Sequence, residues 1–349
     1  MLCLGIETSC DETAVALVEE GRLVRSLTAS QANLHAIFGG VVPELASREH
    51  YKIIGPLFDR LMADSGRSPA DLDAVAVARG PGLLGSLLVG VAFAKGLALT
   101  LDKPLIGVNH LRAHLLACGL DAALSYPALG VLASGGHTCL YKINSFDSFE
   151  PLGATLDDAA GEAFDKIGCA LGLPYPAGAR VDALAREGEP DFSLPLPLSR
   201  GDSLDFSFSG LKTAAVKSVS RSRPKGRALN DFCAGLNQAV AETLAIKAGK
   251  ALERPDCKGV SAVWLAGGVA ANSRVRQRLA ELAASRGLPL LMPQLKFCSD
   301  NAAMIAYNGW LLAAHGKVSD LRLEAVPRGR KMPDDYRKAP SLDSRAFGQ

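Results

Sequence analysis

His110 and His114 stand four residues apart in Asn109-His110-Leu111-Arg112-Ala113-His114-Leu115-Leu116-Ala117, a run that reads as a helix. That spacing puts both imidazoles on one helical face, near enough to hold one metal ion. Zincin proteases use the same spacing but need a Glu beside the first His as general base, and here that position is Leu111. A third ligand would strengthen the site. In Cys298-Ser299-Asp300-Asn301, ahead of the apolar helical run Ala302–Ala314, Asp300 could serve as that ligand. The plainer alternative is that Asp300 or Ser299 is an N-cap. Two His and one carboxylate with open positions suit Fe(II), with zinc as the rival.

Other segments invite chemistry with less force. Gly80-Pro81-Gly82-Leu83-Leu84-Gly85 satisfies GxGxxG, but the strand Leu105–Val108 ends at Asn109 where a dinucleotide site wants an acid. A tight turn with close helix packing is the preferred reading. Ser134-Gly135-Gly136-His137 lacks the Gly two residues ahead that a nucleophile elbow requires, since Leu132 stands there. It reads instead as a backbone nest for an anionic group. In Asp157–Lys166 the spacing puts Asp158, Glu162 and Asp165 on one helical side, where they are either solvated charge or a seat for a ribose or an amine. Gly267–Asn272 reads as a nucleoside pocket, with glycines for close approach and Asn272 as a hydrogen-bonding amide.

These residues sit at the ends of a repeated frame. Leu2–Ile6 and Ala14–Val18 flank one small-residue turn, Leu129–Ala133 and Cys139–Ile143 another, and both read as hairpins. Each is followed by a strand, a Gly turn and a helix: Asp73–Ala78 with Leu84–Leu101, then Val263–Ala266 with Ser273–Arg286. A duplicated α/β domain with a ligand held between its halves follows as the expectation. The second copy is longer, so an insertion is expected at about 145–230, containing the Pro-rich loop 190–197 and a basic run from Lys217 to Arg227. The N-terminal lobe is expected at 1–124, with the C-terminal helix about 303–327 returning to it. The C-terminal lobe is expected at 125–302, followed by a mobile basic tail at 328–349.

The composition agrees. With 349 residues, 48% hydrophobic and 21% charged, the chain has the make-up of a globular protein with room for two cores. A net charge of +2 does not announce a nucleic-acid binder, so any basic surface must be local. The eight cysteines form no CxxC pair or zinc-ribbon spacing and read as thiols of a reducing cytosol. The apolar stretch Leu83–Leu101 is broken by Gly85, Gly90, Lys95 and Gly96, so a core helix is expected rather than a membrane span, and the localisation expected is cytoplasmic.

Taken together, the motifs resemble the bacterial tRNA N6-adenosine threonylcarbamoyltransferases, also called TsaD or Gcp. The resemblance rests on Gly5–Thr13, His35–His50, Gly80–Leu83, the His110/His114 pair, Ser134–Thr138, Asp157–Lys166, Phe206–Lys212, Gly267–Asn272 and Cys298–Asn301, in family order. It implies duplicated lobes of the actin/Hsp70/sugar-kinase (RNase H-like) type around a central cleft. It implies transfer of threonylcarbamoyl from threonylcarbamoyl-AMP to N6 of the adenosine 3′ of the anticodon in ANN-decoding tRNAs. By match to the family, His110, His114 and Asp300 hold one iron per subunit, with zinc as the alternative. Leu132, Ala133, Ser134, Gly135, Gly136, Asp165, Gly178, Asp182 and Asn272 bind the substrate, and a bound adenine nucleotide is compatible with the fold. Asp11 and Glu12 are the carboxylates considered for proton removal. The chain departs from the family's PGGP at Pro176-Ala177-Gly178-Ala179. Family members work with a smaller paralogue (TsaB) and a P-loop ATPase (TsaE), and the helices expected at Pro43–Asp64 and Leu84–Leu101 offer an apolar surface for such a partner. The rivals are a metalloprotease and a non-catalytic nucleotide-binding member of the same fold.

Overall fold

The computed structural model describes residues 1–190, 194–199 and 201–339. The chain forms two compact units: Met1–Leu120 together with the chain from Asp300 onward, and Asp121–Ser299. The boundaries thus fall at 120/121 and 299/300.

The first unit opens with a three-stranded meander, β1 (Leu2–Glu7), β2 (Glu12–Glu19) and β3 (Arg22–Ser30). Two helices follow, α1 (Ala32–Ala36) and α2 (Pro43–Ser65). Then come β4 (Ala74–Gly80), α3 (Leu84–Leu101), β5 (Leu105–Asn109) and the short α4 (His110–Leu116). The sheet order is β3-β2-β1-β4-β5, antiparallel across the meander and parallel from β1 to β5. β1 and β4 are buried along their whole length, and Leu4, Ile6, Val15 and Leu17 pack with Phe58, Leu61 and Val91 of the helices.

The second unit repeats that order. Its meander is β6 (Ala128–Ala133), β7 (Thr138–Ser145) and β8 (Ser148–Ala154). After α5 (Ala160–Ala170), α6 (Gly178–Ala185) and α7 (Ser209–Ser222) comes the long α8 (Arg227–Glu253). Then β9 (Ala262–Ala266), α9 (Ser273–Ser285) and β10 (Leu290–Leu291) complete it. The order β8-β7-β6-β9-β10 is the order of the first sheet. The additional material is therefore α5–α7, after β8; the insertion does not begin at 145, because Ser148–Ala154 pairs with β7. Pro151 hides this strand in the sequence, yet an edge strand tolerates a proline.

The last helix, α10 (Ala302–Ala314), returns to the first unit and lies on β1, where a Cβ on Gly5 would come within 2.4 Å of the Ala306 nitrogen. It ends at Ala314, not near 327, and Gly316 turns the chain at φ +69°. The segment up to 339 is tied down, which corrects the expectation of a mobile tail from 328. Arg79 is 2% exposed and pairs with Asp335 at 2.5 Å, and the Tyr336 hydroxyl donates to the Gly107 carbonyl at 2.7 Å. A buried guanidinium needs a carboxylate, and this segment supplies it. The rest of the expected tail, and residues 191–193 of the Pro-rich loop, lie outside the described residues.

Candidate functional site

The first unit gathers the histidine pair and Asp300. Asn109 ends β5 and caps α4, its Oδ1 accepting from the Leu111 and Arg112 amides at 3.0 and 3.2 Å. His110 and His114 then occupy one face of α4, with ring centroids 4.7 Å apart. Asp300 arrives from the other end of the chain. Asn301, not Asp300 or Ser299, caps α10, accepting from the Met304 amide at 3.0 Å, so the Asp300 carboxylate is left for the histidines. Its Oδ1 lies 3.4 Å from His110 Nε2 and 3.0 Å from His114 Nε2.

That spacing suits a metal. Atoms bound to one ion at about 2.1 Å lie roughly 3.0–3.4 Å from one another in octahedral or tetrahedral geometry. One ligand atom from each of the three residues lies within 4.8 Å of the others. The electrostatics point the same way. Burial alone would lower the His110 pKa, but Glu7 and Asp300 on either side raise it well above the usual imidazole value. Burial would raise Asp300, but His110 and His114 hold it well below the usual carboxylate range. Burial lowers His114. A divalent cation answers the same excess of negative charge.

Asp11 closes the turn that follows β1, and Glu12 is the first residue of β2. Burial, with Asp11 and Asp300 nearby, pushes Glu12 up to about 9. Burial and the neighbouring carboxylates thus favour the protonated form of Glu12. The segment His35–His50 supports this turn. The His50 Nε2–H donates to the Cys10 carbonyl at 2.9 Å, while Nδ1 accepts from Thr13 Oγ1 at 2.8 Å and Gln31 Nε2 at 3.3 Å. His35 in turn donates through Nε2 to Gln31 Oε1 at 3.2 Å. Both rings are fully buried.

The second unit holds all of the expected substrate residues. Leu132 and Ala133 end β6, and Ser134, Gly135 and Gly136 form the turn that follows. The Ser134 hydroxyl accepts from the His137 amide at 3.1 Å, tying the serine into its own turn. Gly267, at φ +94°, packs so closely that a Cβ would lie 2.4 Å from the Ala133 carbonyl oxygen. In the first unit Gly82 meets the Ser9 carbonyl in the same way, at 2.6 Å, so the GxGxxG glycines serve chain packing. Asp165 on α5 accepts from the Ala177 amide at 2.8 Å, fixing the residue before Gly178. Asp182 on α6 accepts at Oδ1 from Asn237 Nδ2 and the Ser273 hydroxyl, at 3.0 and 2.7 Å. Asn272 caps α9 through Oδ1, accepting from the Arg274 and Val275 amides at 3.0 and 3.1 Å.

One cluster turns out differently. α5 begins at Ala160, so Asp157 and Asp158 precede the helix. Asp157 accepts from Ser207, Phe208 and both the amide and hydroxyl of Ser209, while Asp158 pairs with Lys166 at 2.7 Å and Lys212 at 2.6 Å. The amines these acids hold belong to the chain itself. The Phe206–Lys212 motif is the matching half of this latch, with Phe206 and Phe208 both fully buried.

A protein-family model, tRNA N6-adenosine threonylcarbamoyltransferase (TsaD), matches residues 22–307. The chain belongs to that family. A curated transferase of this name from Nitratidesulfovibrio vulgaris strain DP4 is 58% identical, covering 98% of this chain and 99% of that protein. One from Lawsonia intracellularis is 53% identical over 97% of this chain and 100% of its own length. Among solved structures, component A of the (R)-2-hydroxyglutaryl-CoA dehydratase of Acidaminococcus fermentans has a TM-score of 0.56 at 14% identity, over 90% of this chain and 99% of that one. The ROK hexokinase from Thermus thermophilus has a TM-score of 0.51 at 14% identity, over 90% and 100%. These likenesses show the duplicated, sugar-kinase-type fold of this transferase family member. They give no support to the metalloprotease reading, and Leu111 stands where its base belongs.

Proposed function

We propose that this chain transfers the threonylcarbamoyl group of threonylcarbamoyl-AMP to N6 of the adenosine 3′ of the anticodon in ANN-decoding tRNAs. The observation that carries the reading is the family membership along nearly the whole chain. The chemistry is demanding, because the lone pair of an exocyclic adenine amine is delocalised into the ring. A mixed anhydride with AMP as leaving group supplies the activation, and the protein's work is positioning and charge stabilisation.

In this reading His110, His114 and Asp300 hold one iron ion, with zinc as the alternative. A metal there supplies a Lewis acid that polarises a carbonyl oxygen. Leu132–Gly136, Asp165, Gly178, Asp182 and Asn272 bind the donor, with the Asn272 Nδ2 group as a hydrogen-bond donor. Among the described residues, Lys217, Arg221, Arg223 and Lys225 are exposed and carry no salt bridge, which suits them to tRNA phosphates. Arg227 is already held by Asp231 at 3.0 Å.

The partners in this reading are the smaller paralogue (TsaB) and the P-loop ATPase (TsaE). What supports a docked partner is the apolar residue set Ile37, Phe38, Tyr51, Leu84, Leu88 and Leu99, each 47–79% exposed. The reaction is cytoplasmic. Incubation of the purified protein and its partners with threonylcarbamoyl-AMP and an unmodified ANN-decoding transcript tests the reading. Nucleoside analysis is expected to show threonylcarbamoyladenosine at the single position 3′ of the anticodon, and its absence would refute the assignment.

A further inference from the structure

Glu7 is a carboxylate that the binding and transfer roles above do not use. It ends β1 and is 0% exposed. Its Oε1 accepts from the Ser9 amide, and its Oε2 lies 2.8 Å from His110 Nδ1. Among the described residues no Lys or Arg pairs with it, and His110 is its one ion-pair partner. An ionised carboxylate in that environment is costly unless positive charge stands nearby. His114 makes a contrast, because its Nδ1 is buried with no hydrogen-bond partner among the described residues.

We infer that Glu7 is a positioning residue for the cation site. By accepting the Nδ1 proton of His110 it fixes the tautomer whose Nε2 lone pair faces Asp300 and the bound ion. This rests on the reading that His110, His114 and Asp300 hold a divalent cation. Two carboxylates, the buried Glu7 and the partly exposed Asp300, then balance one divalent cation while both imidazoles stay neutral. A carboxylate behind a ligating imidazole also raises its basicity and orients its ring. Gln at position 7 has one oxygen for two donors, Ser9 N–H and His110 Nδ1–H. Its amide group, turned to Nδ1, favours the tautomer with a proton on Nε2, which cannot ligate.

The test uses the full-length protein and Zn2+ as probe, titrated against a chromophoric chelator. Glu7→Gln is expected to weaken Zn2+ binding by about 10–100-fold, with Glu7→Asp intermediate. A folded Glu7→Gln protein that binds Zn2+ as tightly as the wild type would overturn the inference. A second readout needs no variant: nitrogen NMR of 15N-histidine-labelled wild type loaded with Zn2+. The His110 ring is expected to carry its proton on Nδ1 and the metal on Nε2; a proton on Nε2 would refute the role of Glu7 whatever the variant does. The underlying cation reading fails separately, if the His110→Ala, His114→Ala double variant still binds one Zn2+ with wild-type affinity.

Discussion

At the scale of single residues, the histidine pair and its carboxylate state a sharp expectation. The His110→Ala, His114→Ala double variant should lose most of the bound metal, which elemental analysis of the purified protein would show; full occupancy would count against the site. Proton linkage adds a second test. Glu7 and Asp300 raise the proton affinity of His110 above that of an ordinary imidazole, so an incoming cation competes with protons for the site. Cation affinity should therefore fall as pH is lowered towards 5, with protons released on binding; calorimetry in buffers of different ionisation enthalpy would count them. The histidine spacing was legible in the sequence because i and i+4 share a helical face. That Asp300 joins the pair was not legible from spacing, since α10 delivers it from nearly two hundred residues away. The family resemblance named it, and the Asn301 cap shows why it is free to serve.

Between residues and the whole molecule lie the turns that hold the proposed substrate residues. Gly267 combines a left-handed φ with a carbonyl where its Cβ would be. Gly267→Ala should destabilise the protein by more than about 1 kcal/mol and raise KM for the donor, read from thermal melts and steady-state kinetics. The latch from Asp157 and Asp158 to Phe206–Lys212 carries a pH signature. Burial opposes ionisation, but the seryl hydroxyls and amides around Asp157 and the lysines around Asp158 outweigh it and hold both carboxyls below their usual pKa. Their stabilisation is present above the unfolded value near pH 4 and is lost as pH falls through the lower folded values. An acid titration of tertiary structure should show the Asp158→Asn variant already weakened at neutral pH and less sensitive to acid than the wild type. Both halves of this latch were visible as motifs, but nothing in the sequence says that residues fifty positions apart answer each other. The sequence suggested an external amine where the chain supplies Lys166 and Lys212.

For the whole molecule, the repeated order of hairpin, strand, Gly turn and helix was readable because apolar runs and glycines mark it in both halves. The third strand of each meander was not. β3 lies at an edge with mixed exposure, and β8 carries Pro151. α3 shows how far composition alone reaches. It is long and apolar enough to cross a membrane, yet it lays Leu87, Val91, Ala94 and Ala98 into the first unit's core and leaves Leu84, Leu88 and Leu99 exposed. If that face receives the smaller paralogue, Leu88→Asp with Tyr51→Asp should weaken the complex by at least tenfold without lowering the melting temperature of the isolated chain. Light scattering with and without the paralogue would measure it, and an unchanged complex would exclude the face. The central claim, that the histidine site serves threonylcarbamoyl transfer, is tested most directly by a single-turnover reaction with donor labelled at the threonylcarbamoyl carbonyl carbon. The label should appear on N6 of the adenosine 3′ of the anticodon with the wild-type protein and be reduced at least a hundredfold, about 3 kcal/mol in barrier, with His110→Ala, His114→Ala. Equal label transfer by the two proteins would contradict the account.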